Sequence, residues 1–186
     1  EEKGGGILRH LVVRATFEGV LVCVVTSGNA LPYADKLADM LKAELEKSGT
    51  ALVGLVHNIN PKATNVILGT KYRPVAGKDD IDENISGMSF RVRTPSFLQV
   101  NHEQTEKLYA TALDMLRPKV SESIFDIYCG MGTITLMAAK SAGHVTGIEY
   151  VQESVDDAKY NAANNGIQNV SFYAGTAGRI LPELVE

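Results

Sequence analysis

Phe125-Asp126-Ile127-Tyr128-Cys129-Gly130-Met131-Gly132-Thr133 reads as the end of an apolar strand, a sharp turn and the first residue of a helix. Glycines in such a turn accept positive φ and let a ligand approach the backbone closely. With Ser123–Tyr128 as the first strand, the pattern continues as helix Thr133–Ser141, strand His144–Glu149, helix Ser154–Asn164 and strand Asn169–Tyr173. Strands alternating with helices predict right-handed crossovers and a parallel sheet with helices on its faces. Just upstream, Asn101 is placed to cap a helix, with Gln104 as its capping-box partner, and Pro118 stops that helix. Its buried stripe is expected at Leu108, Ala112, Met115 and Leu116. At the far end, Asn161-Ala162-Ala163-Asn164-Asn165-Gly166 closes a helix, with Asn165 and Gly166 suited to a left-handed cap.

Glu149 ends the second strand of this pattern, beside the glycine turn. A carboxylate there can accept hydrogen bonds from both ribose hydroxyls of an adenosine. Two cofactors fit that outline. A nicotinamide dinucleotide needs a helix N-terminus able to hold a pyrophosphate, usually with a third glycine. Thr135 stands where that glycine would be. S-adenosylmethionine carries no phosphate and needs only the glycine turn, an acidic ribose clamp and contacts to its methionine end, so it is the favoured cofactor. Beyond the third strand, Tyr173-Ala174-Gly175-Thr176 lies at a height where an adenine edge could be met.

Residues 1–94 read as a separate small α/β unit. Ile7–Thr16 and Val20–Thr26 are rich in Val and Leu and meet at Glu18-Gly19, a hairpin signal. Between Pro32 and Gly49, Leu37, Met40, Leu41 and Leu45 recur at helical spacing, with Gly49 as the left-handed terminator. Leu52–Asn58 and Asn65–Gly69 are expected as strands around an Asn60-Pro61 turn. The polar stretch Lys78–Asn84 then leads to a last strand near Phe90–Arg93.

The 186 residues are 45% apolar and 22% charged, a globular composition. The net charge of −4 argues against nucleic-acid binding by bulk charge alone. It is unevenly spread: residues 1–100 hold 12 Lys and Arg against 11 Asp and Glu, whereas residues 101–186 hold 6 against 11. Lys62, Lys71, Arg73, Arg91 and Arg93 are candidates for a phosphate-facing surface, or are ordinary solvated strand residues. No apolar run is long enough to cross a membrane. Glu1-Glu2-Lys3-Gly4-Gly5-Gly6 lacks the features of a signal peptide, so the expected location is cytoplasmic. Four scattered histidines and two distant cysteines, Cys23 and Cys129, predict neither a metal site nor an iron–sulfur cluster. Cys129 sits at a helix start, where thiols are acidified, so on position alone it is a candidate nucleophile.

Further runs sharpen this reading. Ser96-Phe97-Leu98-Gln99-Val100-Asn101 followed by Thr105-Glu106-Lys107-Leu108-Tyr109 resembles the SFFQVN…TE.LY motif of the RNA (uracil-5-)-methyltransferases. Asp126–Thr133 is similar to that family's D-x-Y-C-G-x-G-T loop. His57-Asn58-Ile59-Asn60-Pro61, Thr64-Asn65-Val66-Ile67-Leu68-Gly69 and Leu8-Arg9-His10 look like its QNINP, TNVILG and LRH segments, so the likeness runs along the whole chain. His57 stands for a usual glutamine, and Gly178 for a usual acidic residue.

The resemblance implies an α/β chain in two parts. Residues 1–94 would be a central α/β domain. Residues 95–186 would be the first half, three parallel strands, of a Rossmann-like S-adenosylmethionine-dependent methyltransferase domain, cut before strand four. It implies methylation of uridine carbon 5 in RNA, with 23S rRNA the expected substrate ahead of tRNA. A cysteine thiolate adds to carbon 6, carbon 5 takes the methyl group, and a carboxylate base removes the carbon 5 proton as the cysteine leaves. By position, Gln99, Tyr128, Gly130, Thr133 and Glu149 are the implied cofactor-binding residues. The implied nucleophile and base fall beyond Glu186, so no catalytic residue is expected within the chain, and an RNA-binding barrel would precede Glu1. With strand four absent, the edge of Ser123–Tyr128 is expected to be covered by the first region, a neighbouring copy or further chain, and to favour self-association. A nicotinamide-dependent oxidoreductase and a non-catalytic RNA-binding module stand as the alternatives.

Overall fold

The computed structural model describes residues 6–185, so most of the Glu1–Gly6 stretch lies outside it. Contacts gather the chain into two units, residues 1–83 with 93–95 and residues 84–92 with 96–186.

In the first unit, β1 (Leu8–Thr16) and β2 (Gly19–Thr26) form the antiparallel hairpin, and α1 (Ala34–Lys47) crosses to β3 (Leu52–Ile59), parallel to β2. β4 (Lys71–Gly77) adds antiparallel to β3, giving the order β1-β2-β3-β4. β2 is buried along its whole length because both edges are paired and one face takes the helix. Val20, Val22, Val24 and Leu55 pack there against Leu37, Leu41 and Leu45, whereas Met40 of the same helix is exposed. Gly49 ends α1 at φ +71. β5 (Asp80–Ile85) and β6 (Met88–Arg93) form a two-stranded sheet.

Two expectations about this half are overturned. Asn65–Gly69 is not a strand, and the strand after the turn is Lys71–Gly77. The carbonyls of Val66, Ile67 and Gly69 are instead met by the side-chain amides of Asn60 and Asn58, which replace a neighbouring strand. The polar stretch Lys78–Asn84 is mostly strand β5, with Ile81 and Ile85 pointing into the core as every-second-pair residues of an alternating strand.

The second unit contains α2 (His102–Leu116), β7 (Ser123–Ile127), α3 (Thr133–Ala139), β8 (His144–Glu149), α4 (Gln152–Asn164), β9 (Val170–Ala174) and α5 (Ala177–Val185). The sheet is parallel in the order β7-β8-β9, with β7 at an edge that no described strand pairs. Asn101 caps α2 by accepting the Gln104 N–H at 3.0 Å. The stripe expected on α2 is wrong: Leu108, Ala112, Met115 and Leu116 are exposed, and Thr105 and Tyr109 are the buried residues. Leu113, one position round the helix, is the one that packs against Ala138, Ala139, Ala142 and Val145.

β6 is fastened to α4 by side-chain amides that imitate a strand partner. Asn165 accepts the Ser89 N–H and donates to the Ser89 carbonyl, and Asn161 accepts the Arg91 N–H at 2.8 Å. The Arg91 guanidinium pairs with buried Asp157 at 2.9 Å and lies 3.7 Å over the Tyr160 ring. Arg91 is therefore committed inside the second unit and is removed from the expected phosphate-facing set.

The burial pattern gives a paired test. Leu55→Ala in the first core should lower unfolding free energy by about 2–5 kcal/mol, the cost of a cavity under a sheet. Leu116→Ala on α2 should change it by less than about 0.5 kcal/mol, because an exposed side chain leaves no cavity. Urea unfolding of this chain reads both, and a large loss at Leu116 would restore the abandoned stripe.

Candidate cofactor site

The site is built where β7 ends and the chain must reverse into α3. Tyr128 (φ 67), Gly130 (φ 56) and Gly132 (φ 85) all take left-handed conformations within five residues. Each glycine is required for a different reason. Around Gly130 a Cβ would meet nothing within 4 Å, so the residue is needed for its φ and leaves an open face. At Gly132 a Cβ would press on Ala158 and the Phe172 ring at 3.1 and 3.3 Å, so there the glycine also allows close packing.

Glu149, at the end of β8, closes the turn. Its Oε2 accepts the Gly130 N–H at 3.1 Å and its Oε1 accepts the Val151 N–H at 2.9 Å. A carboxylate has about four lone-pair positions, so each oxygen keeps one for a ligand hydroxyl. Three further amides of the turn are also in use. Tyr128 and Cys129 donate to the Ile148 carbonyl at 2.8 and 3.2 Å, and Gly132 donates to the Cys129 carbonyl at 2.9 Å. With the Tyr128, Cys129, Gly130 and Gly132 amides taken, fewer N–H groups remain to aim at a pyrophosphate.

Of the sequence-derived set, the structure joins Gly130 and Glu149 directly. Tyr128 and Thr133 flank them in the same turn, Tyr128 exposed and Thr133 buried at the first position of α3. Gln99 is exposed on the segment before α2 and takes no part in this hydrogen-bond group.

Three residues that the sequence reading passed over complete the turn. Asp126 on β7 accepts the Thr135 hydroxyl at 2.6 Å, and burial pushes its carboxyl above the usual carboxylate range. Thr135 thus fills the missing third-glycine position with a hydroxyl that holds an acid. Asn161, fully buried, donates to the Met131 carbonyl at 3.1 Å while holding β6 through its oxygen. Gly147 lies under Cys129, whose Sγ would be 2.8 Å from an added Cβ. The glycine spacing pointed to Gly130 and Gly132; nothing local marked Asn161, whose role is set by tertiary contact.

The Cys129 thiol is pushed up to about 12, first by burial and then by the negative charges of Asp126 and Glu149. That is the reverse of the acidified thiol a helix start can produce, and it fits a packing role. Among the described residues no three His, Cys, Asp or Glu side chains are grouped to hold a metal ion, and no helix is long and apolar enough to cross a membrane.

Strand–turn–helix units repeated through a parallel sheet, with an acid at the second strand's end, make a Rossmann-like fold, and residues 118–186 match a family described as a methyltransferase domain. Among curated proteins, the chain is 39% identical over 188 residues to an uncharacterized RNA methyltransferase of Clostridium tetani, covering 100% of this chain and 40% of that protein. It is 40% identical over 184 residues to another from Halalkalibacterium halodurans, covering 98% and 39%. The chain therefore spans about 40% of the length of these relatives. Among solved structures, the fold is shared with the Pyrococcus abyssi tRNA (uracil-54, C5)-methyltransferase in complex with S-adenosyl-L-homocysteine, at TM-score 0.71 and 22% identity over 92% of this chain and 40% of that one. Trm5b of Pyrococcus abyssi follows at TM-score 0.58 and 14% identity, over 90% and 48%.

Two measurements test the turn. Native Cys129 should resist iodoacetamide at pH 8 and react only on unfolding, as read by mass spectrometry of the modified peptide. Because its folded pKa lies above the thiol's ordinary 9.0, its contribution to stability should be complete below pH 9.0 and fade as pH rises toward about 12. Asn161→Asp keeps the acceptor for Arg91 but sets a carboxylate against the Met131 carbonyl, and should cost about 2–3 kcal/mol. Amide exchange at Tyr128–Gly132 should accelerate beyond that at β2, and uniform exchange would dismiss the coupling.

Proposed function

We propose that this chain is the cofactor-binding part of an S-adenosylmethionine-dependent RNA methyltransferase that acts on carbon 5 of a uridine. The observation that carries the reading is the Glu149 carboxylate, fixed by the Gly130 and Val151 amides beside a glycine turn with an open face. S-adenosylmethionine supplies an electrophilic methyl group on a sulfonium when bound. Glu149 would accept the ribose hydroxyls, and Gly130 would admit the ligand to the backbone. Tyr128 would lay its exposed ring against it, Thr133 would border it, and Gln99 would clamp the methionine end. The nearby carboxylates Asp126 and Glu149 suit a cationic sulfonium and disfavour a pyrophosphate. Together with the occupied turn amides, they weigh against the nicotinamide-dependent oxidoreductase.

RNA as substrate is supported by the relatives, which are named RNA methyltransferases. Uridine carbon 5 is supported by the Gln99 and Tyr128 motifs of the sequence and by the named activity of the Pyrococcus abyssi protein. That protein's substrate is a tRNA; the sequence resemblance carries 23S rRNA as the expected substrate ahead of tRNA, and 23S rRNA is the substrate proposed. The two-part division, a central α/β domain over 1–94 and a methyltransferase half over 95–186, and a cytoplasmic site of action belong to the same reading.

Calorimetry with S-adenosylhomocysteine on the full-length protein tests it. Loss of hydrogen bonds to a charged group costs about 1.5–3 kcal/mol, so Glu149→Ala should weaken binding roughly tenfold to a hundredfold. Unchanged affinity removes the ribose-clamp assignment, and tight NADH binding without S-adenosylhomocysteine binding restores the oxidoreductase.

A further inference from the structure

The first unit holds a cavity of about 600 Å³ that the cofactor reading does not use. It lies just past Thr26 and Ile59, the last residues of the parallel neighbours β2 and β3. Crevices outside the carboxyl ends of parallel strands are where open α/β sheets bind ligands, because connecting loops diverge there. Its walls are the segment after β2 and the long connection from β3 to β4.

That connection is irregular but firmly built. Asn58, fully buried, donates to the carbonyls of Gly69 (2.9 Å) and Lys71 (3.2 Å) and accepts the Gly69 N–H at 2.8 Å. Asn60 donates to the carbonyls of Val66 (2.7 Å) and Ile67 (3.0 Å) and accepts the Lys62 N–H at 3.2 Å. Gly69 passes so close to β3 that an added Cβ would lie 1.9 Å from the Ile59 carbonyl oxygen. On the opposite wall, Arg73 donates to the Asn29 carbonyl at 2.9 Å. Two buried asparagines and an obligatory glycine therefore hold a loop with exposed Val66 and Ile67 in one shape, which folding into a core does not require.

The lining is chemically one-sided. Ile59, Val66 and Leu68 supply an apolar wall, Lys62 and Lys71 supply two ammonium groups, and among the described residues no carboxylate lines the cavity. An apolar wall beside two cations, in a chain of net charge −4, is complementary to a flat apolar ring joined to an anion. We propose that this cavity is a docking subsite for a nucleotide unit of an RNA strand, with the base against Ile59, Val66 and Leu68 and the phosphates on Lys62 and Lys71. The choice of RNA among anionic ligands rests on the methyltransferase reading above; the cavity, its charge and its rigid frame do not. The absence of a lining aromatic side chain implies shape-and-charge docking rather than sequence readout by stacking.

The test is fluorescence anisotropy of the full-length protein with a labelled single-stranded rRNA segment, titrated with salt. Lys62→Gln/Lys71→Gln is compared with Lys36→Gln/Lys42→Gln, an equal charge change on the exposed face of α1. Because each phosphate contact on a single strand contributes about 0.7 to the salt slope, the cavity pair should make it shallower by about 1.4, with affinity down at least about tenfold. The helix pair should shift affinity by less than about twofold, as expected of charges outside the contact. Irradiated 4-thiouridine RNA should cross-link within residues 59–71. Calorimetry with S-adenosylhomocysteine should give the same affinity in every variant. Unchanged RNA affinity and slope in the cavity pair, or an equal loss in the helix pair, overturns the subsite alone. A wild-type protein that binds S-adenosylhomocysteine but no RNA overturns both the subsite and the RNA assignment.

Discussion

The hydrogen bond from the Gly130 N–H to the Glu149 carboxylate ties the end of the second parallel strand to the turn that follows the first. The three left-handed residues of the turn bring that amide to the acid. The Val151 N–H on the other oxygen then removes the carboxylate's freedom to rotate. A side chain held in this way meets a ligand hydroxyl without losing further rotamer entropy, which is how a single acid becomes a selective clamp. Behind the turn, Asn161 supports the Met131 carbonyl, so the same loop is braced from the core side.

What could be read from the sequence followed the range of the signal. The strand–turn–helix at Asp126–Thr133 is written in local residue types, and the structure reproduces its elements and the order of the parallel strands. The α2 stripe failed because periodicity marks a face without saying whether the protein covers it. Leu113 rather than Leu108 meets the sheet-side helix. Asn65–Gly69 carries β-branched residues and resembles a strand, yet its backbone partners are side chains, those of Asn58 and Asn60, which residue-type patterns do not reveal. Asn161 and Asn165 show the same limit. Their run suits a helix end, and only the fold reveals that their amides take the place of a strand beside β6.

The two units apply one geometric rule with opposite charge. In each, the polar feature lies beyond the carboxyl ends of adjacent parallel strands, β7 and β8 in one and β2 and β3 in the other. Asp126 and Glu149 make the first anionic, and Lys62 and Lys71 make the second cationic. The net charge of the chain averages over these and describes neither. Opposite charges kept apart stay available to ligands, because one mixed site would neutralise itself through internal ion pairs, as Arg91 and Asp157 do.

Tyr128 holds a conformation in this turn that packing does not account for. A residue with a Cβ in the left-handed region costs about 1–2 kcal/mol, whereas glycine enters it freely. Gly130 and Gly132 occupy that region within the same turn, so glycine is evidently compatible with it. The bond Tyr128 makes to the Ile148 carbonyl uses its backbone N–H, which glycine would supply equally well. Its ring is 76% exposed and returns little burial to offset the strain. The cost is thus offset neither by the core nor by the hydrogen-bond ladder, and the side chain stands in the same turn as the open face of Gly130.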